Sequence, residues 1–275
     1  MRVNSFNILL KLYENGGVIM SKILWINPVG TDIFNNMFRE GLEKIKQPQT
    51  QIDVVSLKKG PMHLEYRYYE ALIVLETLHL IKEAENNGYD AAVIGCFYDP
   101  GLNDAKQIVD KMAVTAPEEA CVHLASTMGY KFSVIVTEDL CIPQMMDNII
   151  LYGLKDKVAS FKSLGMGVHD LHKDERKTIE ILKSKAKEAI EKDGAEVIIL
   201  GCTIQFGFYK ELQDYLKVPV IDAIIAPFKY AEYLAELKNR FGWIHSKKCG
   251  FQSPIVSEIK EWKLEEQFNI NGIWI

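Results

Sequence analysis

Long apolar runs are missing from the 275-residue chain: none reaches the roughly 18 residues that a membrane-spanning helix needs. Cysteine is scarce, with five residues at positions 96, 121, 141, 202 and 249. They form no Cys-x-x-Cys pair and no Cys/His cluster at zinc spacing, so the sequence offers no metal site and no sequence-local redox pair. Their odd number, without an export signal, makes reduced thiols in a cytoplasm the expected state. A net charge of −5 is spread over short mixed runs rather than gathered in a tail. That distribution argues against a nucleic acid or an anionic membrane as partner.

The N-terminal stretch to Met20 has a short apolar patch and no small-residue cleavage site, so it reads poorly as a signal peptide. Asn15-Gly16-Gly17-Val18-Ile19 can be encoded with a GGAGG ribosome-binding sequence just ahead of Met20. Residues 1–19 are therefore expected to be a non-native extension, which N-terminal sequencing of the native protein would refute by beginning at Met1.

What is present is the profile of an ordinary globular protein, 48% apolar and 25% charged, long enough for one large or two medium domains. Short apolar runs alternate with amphipathic segments. Strands are expected at Lys22–Asn27, Ile52–Ser56, Ala91–Gly95, Phe132–Thr137, Val197–Gly201 and Val218–Asp222. Helical periodicity fills Tyr69–Asn86 and Lys177–Lys192, each stopped by a glycine, Gly88 and Gly194. Strands that are apolar along their whole length and joined by helices predict parallel sheets covered on both faces.

One sentence is written twice. Gly88-Tyr-Asp-Ala-Ala-Val-Ile-Gly-Cys96 returns as Gly194-Ala-Glu-Val-Ile-Ile-Leu-Gly-Cys202. Each copy is followed by a helix-length segment, a short strand and another helix. The repeat predicts two doubly wound α/β units related by a pseudo-twofold, with strand ends facing each other. A single cysteine at the end of an apolar run is ordinarily a small buried hydrophobe; two in matched register suggest paired function. Cys121, Cys141 and Cys249 have no such partner and read as packing.

Ligands of parallel sheets sit at the carboxyl ends of the strands, where Cys96 and Cys202 both fall. A helix start after each would favour an anion and lower the thiol pKa toward neutrality. Two such thiols facing one small ligand suit removal of a proton from one face of a carbon acid and return of a proton to the other, which inverts a stereocentre. Backbone N–H groups would hold the developing enolate, with no cofactor required. A disulfide between Cys96 and Cys202 is also open, although redox motifs place their thiols close in sequence.

Gly95-Cys96-Phe97-Tyr98-Asp99-Pro100-Gly101-Leu102 resembles the first cysteine motif of the hydantoin racemase branch of the aspartate/glutamate racemase superfamily. Ile26-Asn27-Pro28 resembles its opening. The run Phe132–Thr137, then Pro143, Asp147-Asn148 and Tyr152-Gly153-Leu154, is similar to its middle section. Gly194–Val197 through Gly201-Cys202, with Val218–Asp222, resembles its second cysteine segment. The likeness covers roughly residues 22–240.

The resemblance implies two flavodoxin-like domains with the active site between them. It implies Cys96 and Cys202 as the two bases, no cofactor, a small-molecule substrate and a homo-oligomer. It places Asn27 near the substrate's polar group, Thr203 and the amides after each cysteine at its carbonyl, and Thr137 in the cleft. Phe97, Tyr98 and Ile204 follow the cysteines as substrate-facing positions. Thr203-Ile204-Gln205 stands where that branch has small residues, and Cys-Thr is closer to the amino-acid racemases; Tyr98 and Val29-Gly30 depart as well.

The expected domains are 20–115 with 220–241, then 116–219, with 242–275 as a C-terminal extension that includes a helix at Lys260–Phe268. His63 is a further candidate for the cleft, as are Glu118 and Glu119, although proline and acids at Pro117-Glu118-Glu119 are also what a helix start needs. Amino-acid racemisation, decarboxylation, cis-trans isomerisation and simple ligand binding remain as alternatives on the same scaffold.

Overall fold

The computed structural model describes residues 20–270 and 272–274; the expectation for residues 1–19 lies outside them. Its first half contains β1 (Ser21–Asn27), α1 (Asn35–Ile45), β2 (Thr50–Ser56), α2 (Arg67–Asn86), β3 (Ala91–Ile94), α3 (Leu102–Ile108) and β4 (Ala113–Thr115). The second half repeats the plan with α4 (Pro117–Met128), β5 (Phe132–Val136), α5 (Ile142–Leu151), β6 (Val158–Ser163), α6 (Glu175–Asp193), β7 (Val197–Leu200), α7 (Tyr209–Leu216) and β8 (Val220–Ile221). Helix α8 (Ile225–Phe241) then returns to pack against β1, β3 and β4.

Both sheets are parallel, with strand orders β2-β1-β3-β4 and β6-β5-β7-β8. Numbered within its own half, each order is 2-1-3-4, the flavodoxin-like arrangement whose switch point lies between the first and third strands. The two doubly wound units expected from the repeat are therefore present. Central strands β1, β3, β5 and β7 are buried almost throughout, which is why they read as unbroken apolar runs. The apolar clusters on both sheet faces join the halves: Ile26 and Ile94 share one with Val134 and Ile199, and Trp25 and Val93 share the other with Ile135 and Leu200.

Strand β6 was not anticipated. Its sequence, Val-Ala-Ser-Phe-Lys-Ser, is half-buried along its whole length at a sheet edge, so it never forms an apolar run. Lys162 projects from it to Glu188 at 3.2 Å and Asp193 at 2.8 Å. The helix expected over Lys260–Phe268 is instead two short ones, α9 (Val256–Glu261) and α10 (Leu264–Phe268), broken where Lys263 takes φ +53°. The segment before them covers an open sheet edge. Val114 N–H of edge strand β4 donates to His245 Nε2 at 2.8 Å, and Lys247 caps the Lys106 and Gln107 carbonyls at 2.9 and 2.8 Å. Edge strands left bare invite pairing with other chains.

The glycine of each Gly-Cys pair is a packing requirement. A Cβ on Gly95 would stand 2.5 Å from Trp25 Nε1 and 2.9 Å from the Ile26 carbonyl; on Gly201 it would meet Val134 Cγ1 at 2.6 Å. Alanine at either position is expected to cost about 1–3 kcal/mol by overpacking. That loss is read as a lower urea midpoint at unchanged m-value; an unchanged midpoint would contradict it.

Candidate active site

The two cysteines emerge from the sheets in the same way. Gly95 N–H donates to the Ile26 carbonyl at 2.7 Å, and Gly201 N–H donates to the Ile135 carbonyl at 2.9 Å. One residue later the chain turns back on itself. Asp99 N–H donates to the Cys96 carbonyl and Gln205 N–H to the Cys202 carbonyl, each at 3.0 Å.

No α-helix begins at either cysteine, contrary to the expectation from sequence. After Cys96 the chain passes Asp99 at φ +50° and Gly101 at φ +68°, and α3 starts only at Leu102. After Cys202 a single 3₁₀ turn, Thr203–Gln205, runs to Gly207 at φ +97°, and α7 starts at Tyr209. Left-handed residues cannot continue a right-handed helix, so the helix dipole acts on neither thiol at close range.

Both thiols line one cleft between the halves. Of the residues expected there, the cleft is lined by Asn27, Phe97, Tyr98, Thr137, Thr203 and Ile204 together with Cys96 and Cys202. Asn27 is held by Asn35, Nδ2 to Oδ1 at 3.5 Å, and is 5% exposed. Gln205 is fully buried but does not line the cleft.

His63 also reaches the wall, 3.2 Å from Glu65, whose other carboxylate oxygen accepts the Val168 N–H at 2.9 Å. Loops following β2 and β6 thus meet at the cleft. No lysine or arginine is among its lining residues, whereas Glu65 is.

Sequence reasoning missed Cys141, a third thiol in the lining, with Sγ 3.5 Å from Thr137 Oγ1. It lacks a repeat partner, so periodicity gave no signal for it. Phe34, Met62 and Met145 were missed for a similar reason, since they arrive from loops and helix α5. The one legible clue was that the loops after β1, β2 and β6 leave from the carboxyl ends of their strands.

Burial sets the thiol chemistry. Desolvation pushes Cys202 up to about 12 and Cys96 well above the ordinary thiol range, against the lowering effect of the Ile204 and Tyr98 amides. Negative groups, Glu70 near Cys96 and Glu65 near Cys202, push the same way. The helix starts expected to depress the thiol pKa are absent, no lysine or arginine lines the cleft, and burial pushes the thiols the other way.

Glu118 and Glu119 do not line the cleft. Their backbone N–H groups donate to the two Asp99 oxygens at 2.8 and 2.7 Å, and Tyr152 OH donates to Asp99 Oδ2 at 2.7 Å. Asp99 therefore ties the Cys96 loop to the start of α4. The Glu119 carboxylate pairs with Lys106 and accepts from Thr115 Oγ1 at 3.0 Å. Glu118 is fully buried, pushed well up by desolvation and by Asp99. Three donors on Asp99 against one, Asn148, on Glu118 favour the charged form of Asp99 over that of Glu118, while desolvation pushes both carboxyls up. In the other half Asp222 plays the same part, accepting from Ile224, Ile225 and Gly207 N–H at 2.8, 3.1 and 3.4 Å. One buried carboxylate thus ties the Cys96 loop to the start of α4, and another ties the Cys202 loop to the start of α8.

The sequence and fold are shared with known proteins. The Asp/Glu/Hydantoin racemase family model matches residues 23–231. A hydantoin racemase of Pseudomonas sp. (strain NS671) is 36% identical over 241 residues, covering 88% of this chain and 96% of that protein. A hydantoin racemase of Paenarthrobacter aurescens is 35% identical over 237 residues, covering 85% and 97%. Among solved structures, allantoin racemase from Klebsiella pneumoniae superposes with a TM-score of 0.79 at 26% identity, covering 86% of this chain and 94% of that one. The chain belongs to the Asp/Glu/hydantoin racemase family.

Proposed function

We propose that this isomerase inverts the stereocentre of an uncharged cyclic carbon acid, a 5-substituted hydantoin or an allantoin-like ring, using Cys96 and Cys202 as its two acid/base groups. The observation that carries the reading is the cleft itself: one thiol from each half, apolar walls, no lysine or arginine, and a carboxylate at Glu65. A free amino acid would bring its α-carboxylate against the field of Glu65, with no lysine or arginine in the lining to receive it. A ring of amide groups needs only hydrogen bonds, which Asn27, Thr137, Thr203 and the loop amides supply. Phe97, Tyr98 and Ile204 shape the space for the ring substituent.

In the reaction one sulfur, as thiolate, takes the proton from the stereogenic carbon and becomes a thiol. The carbanion delocalises into the adjacent ring carbonyl, where hydrogen-bond donors receive the charge. The opposite thiol then gives its proton to the other face and becomes the thiolate. The charge has moved from one sulfur to the other, and exchange with water resets the pair. Raised thiol pKa values leave little thiolate at neutral pH, while each thiolate that forms is a stronger base toward a weakly acidic C–H bond.

The test is proton NMR in D₂O with single enantiomers of several 5-substituted hydantoins, allantoin, aspartate and glutamate. Loss of the stereocentre proton with racemisation is expected for the rings and not for the amino acids. Exchange with aspartate or glutamate alone would overturn the substrate assignment; no exchange with any of them would overturn the reading.

A further inference from the structure

The peptide plane two residues past each cysteine is held on both edges. In the first half its N–H, from Asp99, donates to the Cys96 carbonyl at 3.0 Å, and its oxygen, from Tyr98, accepts from Asn148 Nδ2 at 2.9 Å. In the second half the Gln205 N–H donates to the Cys202 carbonyl at 3.0 Å, and the Ile204 oxygen accepts from His172 Nε2 at 2.7 Å. Tyr98 and Ile204 occupy the same place in the repeat, two residues after Cys96 and Cys202. The Tyr98 and Ile204 N–H groups sit one peptide unit earlier in the same turns; they work against the raised pKa of Cys96 and Cys202, and the Gln205 N–H of the held plane adds to the effect on Cys202.

The holding side chains are themselves fixed. Asn148, on α5, spends its second amide hydrogen on Glu118 Oε2 at 2.8 Å. His172, in the loop before α6, has Nδ1 2.9 Å from Glu175 Oε1, and its ring stacks on Phe208 with centroids 5.2 Å apart. Neither residue lines the cleft. Neither repeats in sequence, and yet the two reach equivalent carbonyls.

We infer that Asn148 and His172 are a matched pair of positioning residues, one for each thiol, that lock these turns so that the Tyr98 and Ile204 amides face the sulfurs. A hydrogen bond to an anion is shorter and stronger than one between neutral groups, so a misdirected amide weakens the thiolate more than the thiol. Removing the holder frees one end of the turn, so Tyr98 or Ile204 and the amide just before the released plane are no longer fixed against the sulfur, and the acidity of that cysteine falls. The inference rests on the two-thiol reading only in taking both sulfurs to work as thiolates.

Site-resolved alkylation tests it without any substrate, so its failure is separable from failure of the racemase reading. Iodoacetamide labelling of Cys96 and Cys202 is followed by peptide mass spectrometry across a pH series, for the parent, Asn148→Ala, His172→Ala and His172→Gln. Asn148→Ala is expected to slow labelling of Cys96 by about three- to tenfold at fixed pH, the change produced by about half to one pKa unit, and to leave Cys202 within about twofold. His172→Ala is expected to do the reverse, and His172→Gln, which keeps an N–H donor, to restore the parent profile. Equal slowing of both thiols, slowing of neither, or a glutamine variant that behaves as the alanine one would overturn the inference. Should Asn148→Ala fail to fold, the two His172 variants decide it.

Discussion

Serine at Cys96 or at Cys202 is expected to abolish inversion, by a factor of about 10²–10⁴ in rate, while leaving exchange with solvent at one enantiomer only. A serine hydroxyl is far too weakly acidic to supply the base or to reprotonate a carbanion at neutral pH. The surviving thiol keeps its place on one side of the cleft, so it still takes the proton from the enantiomer whose C–H bond faces it. With no donor opposite, the same sulfur returns a hydron, now drawn from D₂O. The result is deuterium incorporation with retained configuration. Cys96→Ser and Cys202→Ser should therefore label opposite enantiomers of the same ring compound, observed by NMR together with chiral chromatography. A variant that still racemises, or two variants that label the same enantiomer, would rule out one thiol on each face. A decarboxylase on this scaffold would need only one of the two cysteines, and a binding protein would label nothing.

The symmetric parts of this machine were legible because symmetry leaves a mark in sequence. The two Gly-Cys sentences, the buried strands before them and the glycine-stopped helices are written as apolar runs at matched spacing, and the same strand order follows in both halves. The asymmetric parts were not legible. Cys141 enters the cleft through the geometry of the turn after β5, and β6 hides as an edge strand half-buried along its whole length. Asn148 and His172 converge on equivalent carbonyls from a helix and from a loop, a match that no repeat in the chain announces. The sign of the thiol shift was misread for a physical reason: a following helix was expected to stabilise the anion, whereas the chain inserts turns with left-handed residues and burial takes over. Local sequence shows that a thiol lies at a strand end; the desolvation it experiences depends on the loops and the opposite half closing over it.

That desolvation has a consequence of comparable size in the pH dependence. Burial disfavours the charged form, which for a thiol means a raised pKa; Cys202 is pushed up to about 12 and Cys96 well above the ordinary range. Below the pKa the thiolate fraction grows tenfold with each pH unit, so kcat/KM should climb with a slope near one in its logarithm from neutrality into the alkaline range. Across about two pH units that is roughly a hundredfold gain. A fall can begin only when the second thiol ionises as well and the proton donor is lost. Because a ring substrate has an N–H of its own that titrates, the enzyme is measured separately through the ultraviolet absorbance of thiolate in the absence of substrate. The absorbance attributable to Cys96 and Cys202, taken as the difference between the parent and the double serine variant, should stay small at neutral pH and rise only well above it. A plateau in kcat/KM already reached at neutral pH, with a matching thiolate signal, would mean that the thiols are acidic in solution. A cation or a reoriented amide would then have to stand where the structure places apolar walls and Glu65.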